Sequence, residues 1–243
     1  MEVVTFDFGE VCLGTLENDD TTVEAKGIVT LIPKTILRLV QQASGHLGGL
    51  AKLPLGYVTV VTADGLDLSD GDYRAIASID GLRTVDFDNT SISHDQVRLF
   101  CRQGIVAMYL GSESVGDDAM AHIASVESLL LLKLSGSSVT DGGFAALRGH
   151  QSIEELQLQP SEVTSASADV IASLPSLTTL HMDGADDHVL RAMARPSTTW
   201  LHLREGTFGP GGIEALARCS ALENLGLFRS QLTIDAQRAL GDL

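Results

Sequence analysis

Apolar residues recur along this chain in a six-residue phrase whose first, fourth and sixth positions are apolar, as in Leu129, Leu132 and Leu134. A phrase repeated every 20 to 29 residues or so, roughly the spacing seen here, is typical of a solenoid, in which one supersecondary unit is stacked many times. We predict eight units, and a degenerate ninth unit that begins at Lys34. The eight phrases begin at Val58, Leu82, Ile105, Leu129, Ile153, Leu177, Thr198 and Leu222.

Each unit combines the periodicity of a strand with that of a helix. In the unit that begins at Leu82, Val85 and Phe87 alternate with polar residues, which predicts a short strand with one buried face. Val97 and Phe100 follow at a spacing of three, which places them on one face of a helix. The predicted fold class is therefore α/β, a right-handed solenoid with a parallel concave β-sheet and short helices on the convex side.

Aspartates and glycines cluster where the predicted helices begin. We expect the carboxylates to cap the free N–H groups of these same helices and to face the positive end of the helix dipole. The glycines are expected to allow a tight turn from strand to helix. The aspartates are Asp95, Asp117, Asp118, Asp141 and Asp187, and the glycines are Gly142, Gly143, Gly211 and Gly212.

One interval is irregular, because only 21 residues separate the phrase starts Leu177 and Thr198. The missing residues predict a shortened helix, or a kink in the curvature, in this unit. Near the C-terminus, Ile234, Ala239 and Leu240 predict a last helix that covers the end of the solenoid.

The first 33 residues lie outside the repeat. Val4, Phe6 and Phe8 alternate with polar residues and are followed by a second apolar segment, 11–16, which predicts two strands joined by a tight turn. Segments 23–25 and 28–32 could supply two more strands. Because the end of a solenoid needs a cover, we interpret 1–33 as an N-terminal β-rich cap and 34–243 as the repeat domain. A separate functional module in 1–33 is the alternative.

The segment 132–147 reads L-K-L-S-G-S-S-V-T-D-G-G-F-A-A-L. It resembles the bacterial leucine-rich repeats of the type L-x-L-x-x-x-x-V-T-D-x-G-x-x-x-L. The resemblance covers about three quarters of the chain, although the regular asparagine or cysteine ladder of other subfamilies is absent. It implies a non-enzymatic scaffold that binds proteins. The role of inhibitor, immunity protein, adaptor or effector stays open, since fold does not determine function.

The composition narrows the range of partners. The formal net charge is −16, from 32 acidic and 16 basic residues, which disfavours nucleic acid because phosphate contacts require clustered Lys and Arg. An acidic surface favours a basic protein partner or serves solubility alone. We expect a monomer.

Several classes of protein are not indicated by the sequence. The three cysteines are too few and too far apart for a disulfide framework, which favours a reducing, cytoplasmic location, although secretion without a classical signal stays open. The chain shows no signal-peptide pattern and no long apolar run, so no membrane span is expected. No metal-ligand spacing, phosphate loop or hydrolase motif occurs, so no cofactor, metal or catalytic residue is predicted.

Phrase positions 3, 5 and 7 are predicted to point away from the core and to form continuous rows on the concave face. Trp and Arg are the residues most enriched in interface hot spots, and both lie in these rows. A different interpretation is that Trp200 fills a packing gap beside the irregular unit. A second hypothesis for the same rows is a metal-ligating pair, or a general acid and base, formed by His181, His202 and Asp183. The predicted partner-binding residues are Tyr109, Lys133, His181, Asp183, Trp200, His202, Arg204 and Phe228.

The predicted function is a non-enzymatic scaffold that binds a protein through the concave face. The alternative is a structural or regulatory repeat domain whose N-terminal segment carries the interaction.

Overall fold

The computed structural model describes residues 3–18, 21–40 and 43–241. Short strands alternate with short helices from β6 onwards. The strands are β1 (Val4–Asp7), β2 (Gly14–Glu17), β3 (Thr22–Glu24), β4 (Ile28–Leu31), β5 (Thr35–Leu39), β6 (Val58–Thr62), β7 (Thr84–Asp86), β8 (Ala107–Tyr109), β9 (Leu131–Lys133), β10 (Glu155–Leu158), β11 (Thr179–Asp183), β12 (Trp200–Arg204), β13 (Thr207–Phe208), β14 (Asn224–Phe228) and β15 (Gln231–Leu232). The helices are α1 (Asp70–Ala77), α2 (His94–Arg98), α3 (Asp117–Ile123), α4 (Asp141–Phe144), α5 (Ala168–Ala172), α6 (Asp187–Met193), α7 (Pro210–Ala215) and α8 (Ile234–Gly241).

Eleven strands form one sheet in the order β14-β12-β11-β10-β9-β8-β7-β6-β5-β2-β3. All neighbouring pairs from β5 to β14 are parallel, and their register follows the predicted phrase, apart from a shift at Thr35 where β5 begins to pair with β6. Position 4 pairs with position 4 throughout, as in Leu156 with Leu180 and Leu180 with Leu201. Leu156, Leu180 and Leu201 are fully buried, which confirms the α/β solenoid and its register.

The irregular unit keeps its helix. Helix α6 has seven residues, as many as α3, so the predicted shortening of the helix is wrong. The strand-to-helix turn is shorter instead, since it runs from Asp183 to the N-cap residue Asp186, whereas the preceding unit takes Gln159 to Thr164. The pairing of β11 with β12 continues without interruption. The missing residues therefore shorten the loops of this unit and leave its strand and helix intact.

The aspartates at the helix starts bond mainly to the following unit. The Thr140 N–H and hydroxyl each donate to the Asp117 carboxylate at 2.8 Å. Thr164 donates to Asp141 in the same way, at 2.9 and 2.6 Å, and the Gly209 N–H donates to Asp187 at 2.8 Å. The prediction that these three carboxylates cap their own helices is wrong, because Gly116, Thr140 and Asp186 occupy the N-cap positions.

The first four strands form where the sequence predicts them, but they pair differently. Strand β1 pairs antiparallel with β4, and β2 pairs antiparallel with both β3 and β5. The predicted hairpin between the first two strands is therefore wrong. Leu16 and Leu37 are paired across β2 and β5 and are buried, so β2 covers the outer edge of the first parallel strand.

The last predicted helix is α8, but its buried residue is Ala236, whereas Ile234 and Leu240 are exposed. In the described ranges, no helix is long and apolar enough to cross a membrane.

Candidate functional site

All eight predicted site residues lie on the open face of the sheet, meaning the face whose side chains alternate with the buried core residues. Six of them are contiguous on β11, β12 and β14, and we call these six the terminal patch. Tyr109 and Lys133 are paired neighbours on β8 and β9, separated from the patch by β10. The terminal patch consists of His181, Asp183, Trp200, His202, Arg204 and Phe228.

Three rings at the centre of the patch stack edge to face. The centroids of His181 and His202 are 5.2 Å apart at an interplanar angle of 75°, and those of His202 and Phe228 are 4.5 Å apart at 72°. The Nδ1 atoms of the two histidines are 3.3 Å apart, so one ring donates and the other accepts in a tautomer pair. This arrangement fixes the orientation of both imidazoles.

Gly226 makes the stacking possible. A Cβ built at this glycine would lie 2.3 Å from the Phe228 ring and 3.0 Å from the His202 ring. The Phe228 ring therefore folds back over the strand into the space that a side chain would occupy. The sequence places Gly226 in the same row as the histidines, but the repeat pattern contains no signal for this role.

The Trp200 side chain is 43% exposed and the Phe228 side chain 52% exposed. Trp200 therefore does not fill a gap in the core. Both side chains belong to the same face, but they lie at opposite ends of their strands, since Trp200 pairs with Asn224 and Phe228 with Arg204. Arg204 adds a guanidinium that lies 3.8 Å from the Asp183 carboxylate.

The carboxyl group of Asp183 has a shifted pKa and an oxygen to which no described residue donates a hydrogen bond. Burial raises the pKa of its carboxyl above the ordinary value, and the nearby Arg204 opposes this effect. Among the described residues its Oδ1 atom has no hydrogen-bond partner, because Arg204 lies beyond hydrogen-bond distance. This oxygen is itself buried from solvent, so its missing hydrogen bond is a cost within the sheet and not an acceptor open to a docked molecule.

Burial also changes the pKa of His181. The pKa of His181 lies below its ordinary value of 6.5, first because of burial and second because of the neighbouring His202. A carboxylate, Glu155, acts in the opposite direction. His181 is therefore neutral at pH 7, which suits an apolar and hydrogen-bonding surface better than a cationic one.

The ammonium group of Lys133 is paired with an acidic side chain. Its ammonium donates to the Asp88 carboxylate, which also accepts the Gly111 N–H at 2.9 Å. Burial raises the pKa of Tyr109, and of Asp86 beside it. Tyr109 and Lys133 thus belong to a second, polar region of the open face.

An open groove of about 850 Å³ lies at the carboxyl ends of β6 to β10 and is lined mainly by polar residues. Its lining includes Asp88, Lys133, Ser135 and Gln159. The Gln159 amide donates to the carbonyls of Met182 and His202, at 2.9 and 2.6 Å, and so ties this groove to the terminal patch. Sequence reasoning missed this role of Gln159, because the two carbonyls lie 23 and 43 residues away.

Among the described residues, no group of three or more His, Cys, Asp or Glu side chains is arranged to hold a metal ion. His181 and His202 stack edge to face, and Asp183 forms an ion pair with Arg204.

Known structures share this architecture. The chain is similar to internalin C2 from Listeria monocytogenes, with a TM-score of 0.53 and 14% sequence identity, over 82% of this chain and 80% of that one. The chain has the leucine-rich-repeat fold. The register of the leucine-rich-repeat sheet explains why the patch residues, 21 to 24 residues apart in sequence, are neighbours in space.

Two further structures resemble the leucine-rich-repeat chain more loosely. A second internalin from Listeria monocytogenes gives a TM-score of 0.34 at 13% identity over 90% of this chain and 89% of that one. The TLR13–ssRNA13 complex gives a TM-score of 0.31 at 12% identity over 86% of this chain and 48% of that one. No protein-family model and no curated protein matches the sequence.

Proposed function

We propose that this leucine-rich-repeat chain is a non-enzymatic scaffold that binds a protein, with the terminal patch as the main contact. The observation that carries the proposal is the exposure of Trp200 and Phe228 on one face of the sheet, with Arg204 beside Phe228. Aromatic and arginine side chains supply most of the binding energy in protein interfaces. The fold does not choose among the inhibitor, immunity protein, adaptor and effector roles.

The surroundings of the patch support binding more than catalysis. An open sheet excludes water poorly, whereas catalysis benefits from an enclosed site. His202 stacks on Phe228, His181 stacks on His202, and the His202 backbone carbonyl accepts a hydrogen bond from Gln159. A rigid aromatic surface loses little conformational entropy when a partner docks.

The acidic part of the open face favours a partner with basic groups. Asp64, Asp86 and Asp88 lie at the far end of the face from the terminal patch, and Lys133 neutralises only Asp88 directly. We propose that a partner places apolar groups on the terminal patch and basic groups near these aspartates. Complementary charge of this kind mainly accelerates association and fixes orientation.

We also propose a reducing, cytoplasmic location. Cys12, Cys101 and Cys219 are all free thiols. Burial raises the pKa of the Cys101 thiol to about 12 and also raises that of Cys219, so these two groups stay protonated and unreactive.

The test is alanine substitution of the patch, with capture of partners and then measurement of affinity for the partner identified. Trp200→Ala and Phe228→Ala should each weaken binding about tenfold or more, since hot-spot truncations typically cost about 2 kcal/mol. Leu55→Ala is a matched control, because Leu55 is also a large exposed apolar side chain (74%) but lies away from the patch. Circular dichroism would establish that each variant is folded. Unchanged affinity in the folded patch variants would refute the site.

A second candidate is an interaction carried by the N-terminal segment. Ile28 is 76% exposed and Val23 43% exposed, and both lie within the first four strands. If this segment carries the interaction, then Ile28→Ser should abolish capture while the patch variants retain it.

A further inference from the structure

Strand β14 ends the eleven-stranded sheet, and within the described residues its outer edge pairs with no strand. The Asn224 N–H donates to the Thr199 carbonyl, and the Phe228 carbonyl accepts from Glu205, so these residues direct their backbone groups inward to β12. Because strand residues alternate, Leu225 and Leu227 direct their N–H and C=O groups outward. An exposed edge of this kind is a template for another strand.

The apolar layer behind this edge is also open. In β12 the core residues Leu201 and Leu203 are fully buried, whereas their β14 counterparts Leu225 and Leu227 are only partly buried. Ile234 on α8 is 69% exposed at the same end of the molecule. A second layer of apolar side chains would complete the burial that every earlier unit receives from its neighbour.

The charge at this end differs from the rest of the chain. Residues 196–241 contain four arginines and four acids and therefore carry no formal net charge, whereas the whole chain carries −16. Two copies would repel each other least if they approach through these residues. The charged residues are Arg204, Arg218, Arg229, Arg238, Glu205, Glu214, Glu223 and Asp235.

The outer edge of β14 can pair with the same edge of a second copy of the chain. If two copies of β14 pair antiparallel about Gly226, then Leu225 of one copy faces Leu227 of the other. Both residues direct their hydrogen-bonding groups outward, so each such pair exchanges two backbone hydrogen bonds. In the same register Glu223 of one copy faces Arg229 of the other, just beyond the end of β14; both are exposed, and Arg229 also lies 3.7 Å from Glu205 of its own chain. In this one register the outward backbone groups form hydrogen bonds, the apolar side chains are in contact, and opposite charges lie across from each other.

Gly226 suits the centre of such an interface. In this register the two Gly226 residues form a non-hydrogen-bonded pair, in which the Cα atoms approach to about 4.5 Å. The Phe228 ring of each copy already covers its own Gly226. Asn224 of the other copy would lie opposite Phe228, so that the two terminal patches form one continuous surface.

We propose that the chain forms a two-fold homodimer through antiparallel pairing of β14, centred on Gly226. The dimer contains one continuous sheet of the two copies. This arrangement replaces the monomer that the sequence alone predicts.

Charge exchange tests the proposal. Sedimentation and light scattering should show a dimer of the unmodified chain. Glu223→Arg and Arg229→Glu should each raise the dimer dissociation constant about tenfold or more, since each change turns two attractive contacts into repulsive ones. The double variant with both changes should return the constant to near its original value. Arg218→Glu is the matched control, because it alters the net charge of this end equally but lies on the 3₁₀ turn Leu216–Arg218.

Amide exchange tests the register. The Leu225 and Leu227 amides should become protected as the protein concentration rises. A chain that stays monomeric overturns the proposal. A dimer that resists both single reversals, or that leaves these two amides unprotected, uses another surface and also overturns it. The dimer does not depend on the proposed function, because partner affinity of the Trp200 and Phe228 variants is measured separately.

Discussion

At the scale of single residues, the V-T-D-x-G part of the repeat acts between units. A Cβ at Gly143 would lie 2.2 Å from the Asp117 carboxylate, and a Cβ at Gly212 would lie 2.3 Å from that of Asp187. These glycines are therefore required by a carboxylate of the preceding unit, and neither has a positive φ. Each aspartate satisfies polar groups at the start of the next unit and holds two units together.

This role predicts a specific loss of stability for Asp117→Ala. The substitution leaves the Thr140 N–H and hydroxyl without their acceptor, so the free energy of unfolding should fall by about 1–3 kcal/mol. Urea denaturation measures the change. Asp118→Ala is the matched control, since Asp118 has the same charge and the same place in the first turn of α3. Equal losses in the two variants would contradict the inter-unit role.

At the scale of elements, the N-terminal strands determine how the sheet ends. Strand β2 pairs antiparallel along β5, and the buried residues Leu13, Leu16 and Leu31 lie in 1–33 beside Leu37. At the opposite end of the sheet, no strand of the described residues pairs with the outer edge of β14. We propose that 1–33 serves as the cap of the repeat domain 34–243.

Deleting residues 1–33 separates the cap from a binding module. Loss of a cap should expose Leu37 and Leu39 and cause unfolding or aggregation of the remaining repeats. Thermal unfolding followed by circular dichroism measures this effect. Ile28→Ser serves as the control, because Ile28 is exposed and its replacement should leave the transition unchanged. An undisturbed transition after the deletion would show that the segment is dispensable for folding.

At the scale of the whole molecule, buried or bonded carboxylates are spread over many units and respond to pH in opposite directions. Burial raises the pKa of Asp86 and Asp183. For Asp72 and Asp141 burial acts in the same direction, but hydrogen bonds outweigh it and hold the pKa below 3.8. The donors to Asp141 are Ser167 and Thr164.

The lowered pKa of Asp141 predicts an acid-dependent loss of stability. A carboxyl whose folded pKa is depressed stabilises the fold above its unfolded pKa, and this contribution is lost as the pH falls through the folded pKa. The stability advantage of the unmodified chain over Asp141→Asn should therefore be present above about pH 4 and close below it. Urea denaturation across this range measures the difference. Asp169→Asn is the control for the loss of one exposed negative charge. A stability difference for Asp141→Asn that persists at low pH would contradict the assignment.

Much of the fold could be predicted from the sequence, because the repeat is a local property. Burial of one side of each short strand requires apolar residues at positions such as Val85 and Phe87, and the next unit repeats the requirement 23 or 24 residues later. The rows on the open face follow from the same alternation, so the sequence alone brought His181 and His202 together. Neither prediction needs a distant contact.

Only the tertiary structure determined which groups of different units pair, form hydrogen bonds or pack against each other. The pairing of β1 with β4, the bond from Thr140 to Asp117 and the Phe228 ring above Gly226 all depend on directions and distances between separate segments. Periodicity records which side of an element is buried, but it does not record which polar group lies opposite. The sequence by itself therefore determined the stacking of the units, and the three-dimensional packing determined how they are held together and which residues stay exposed.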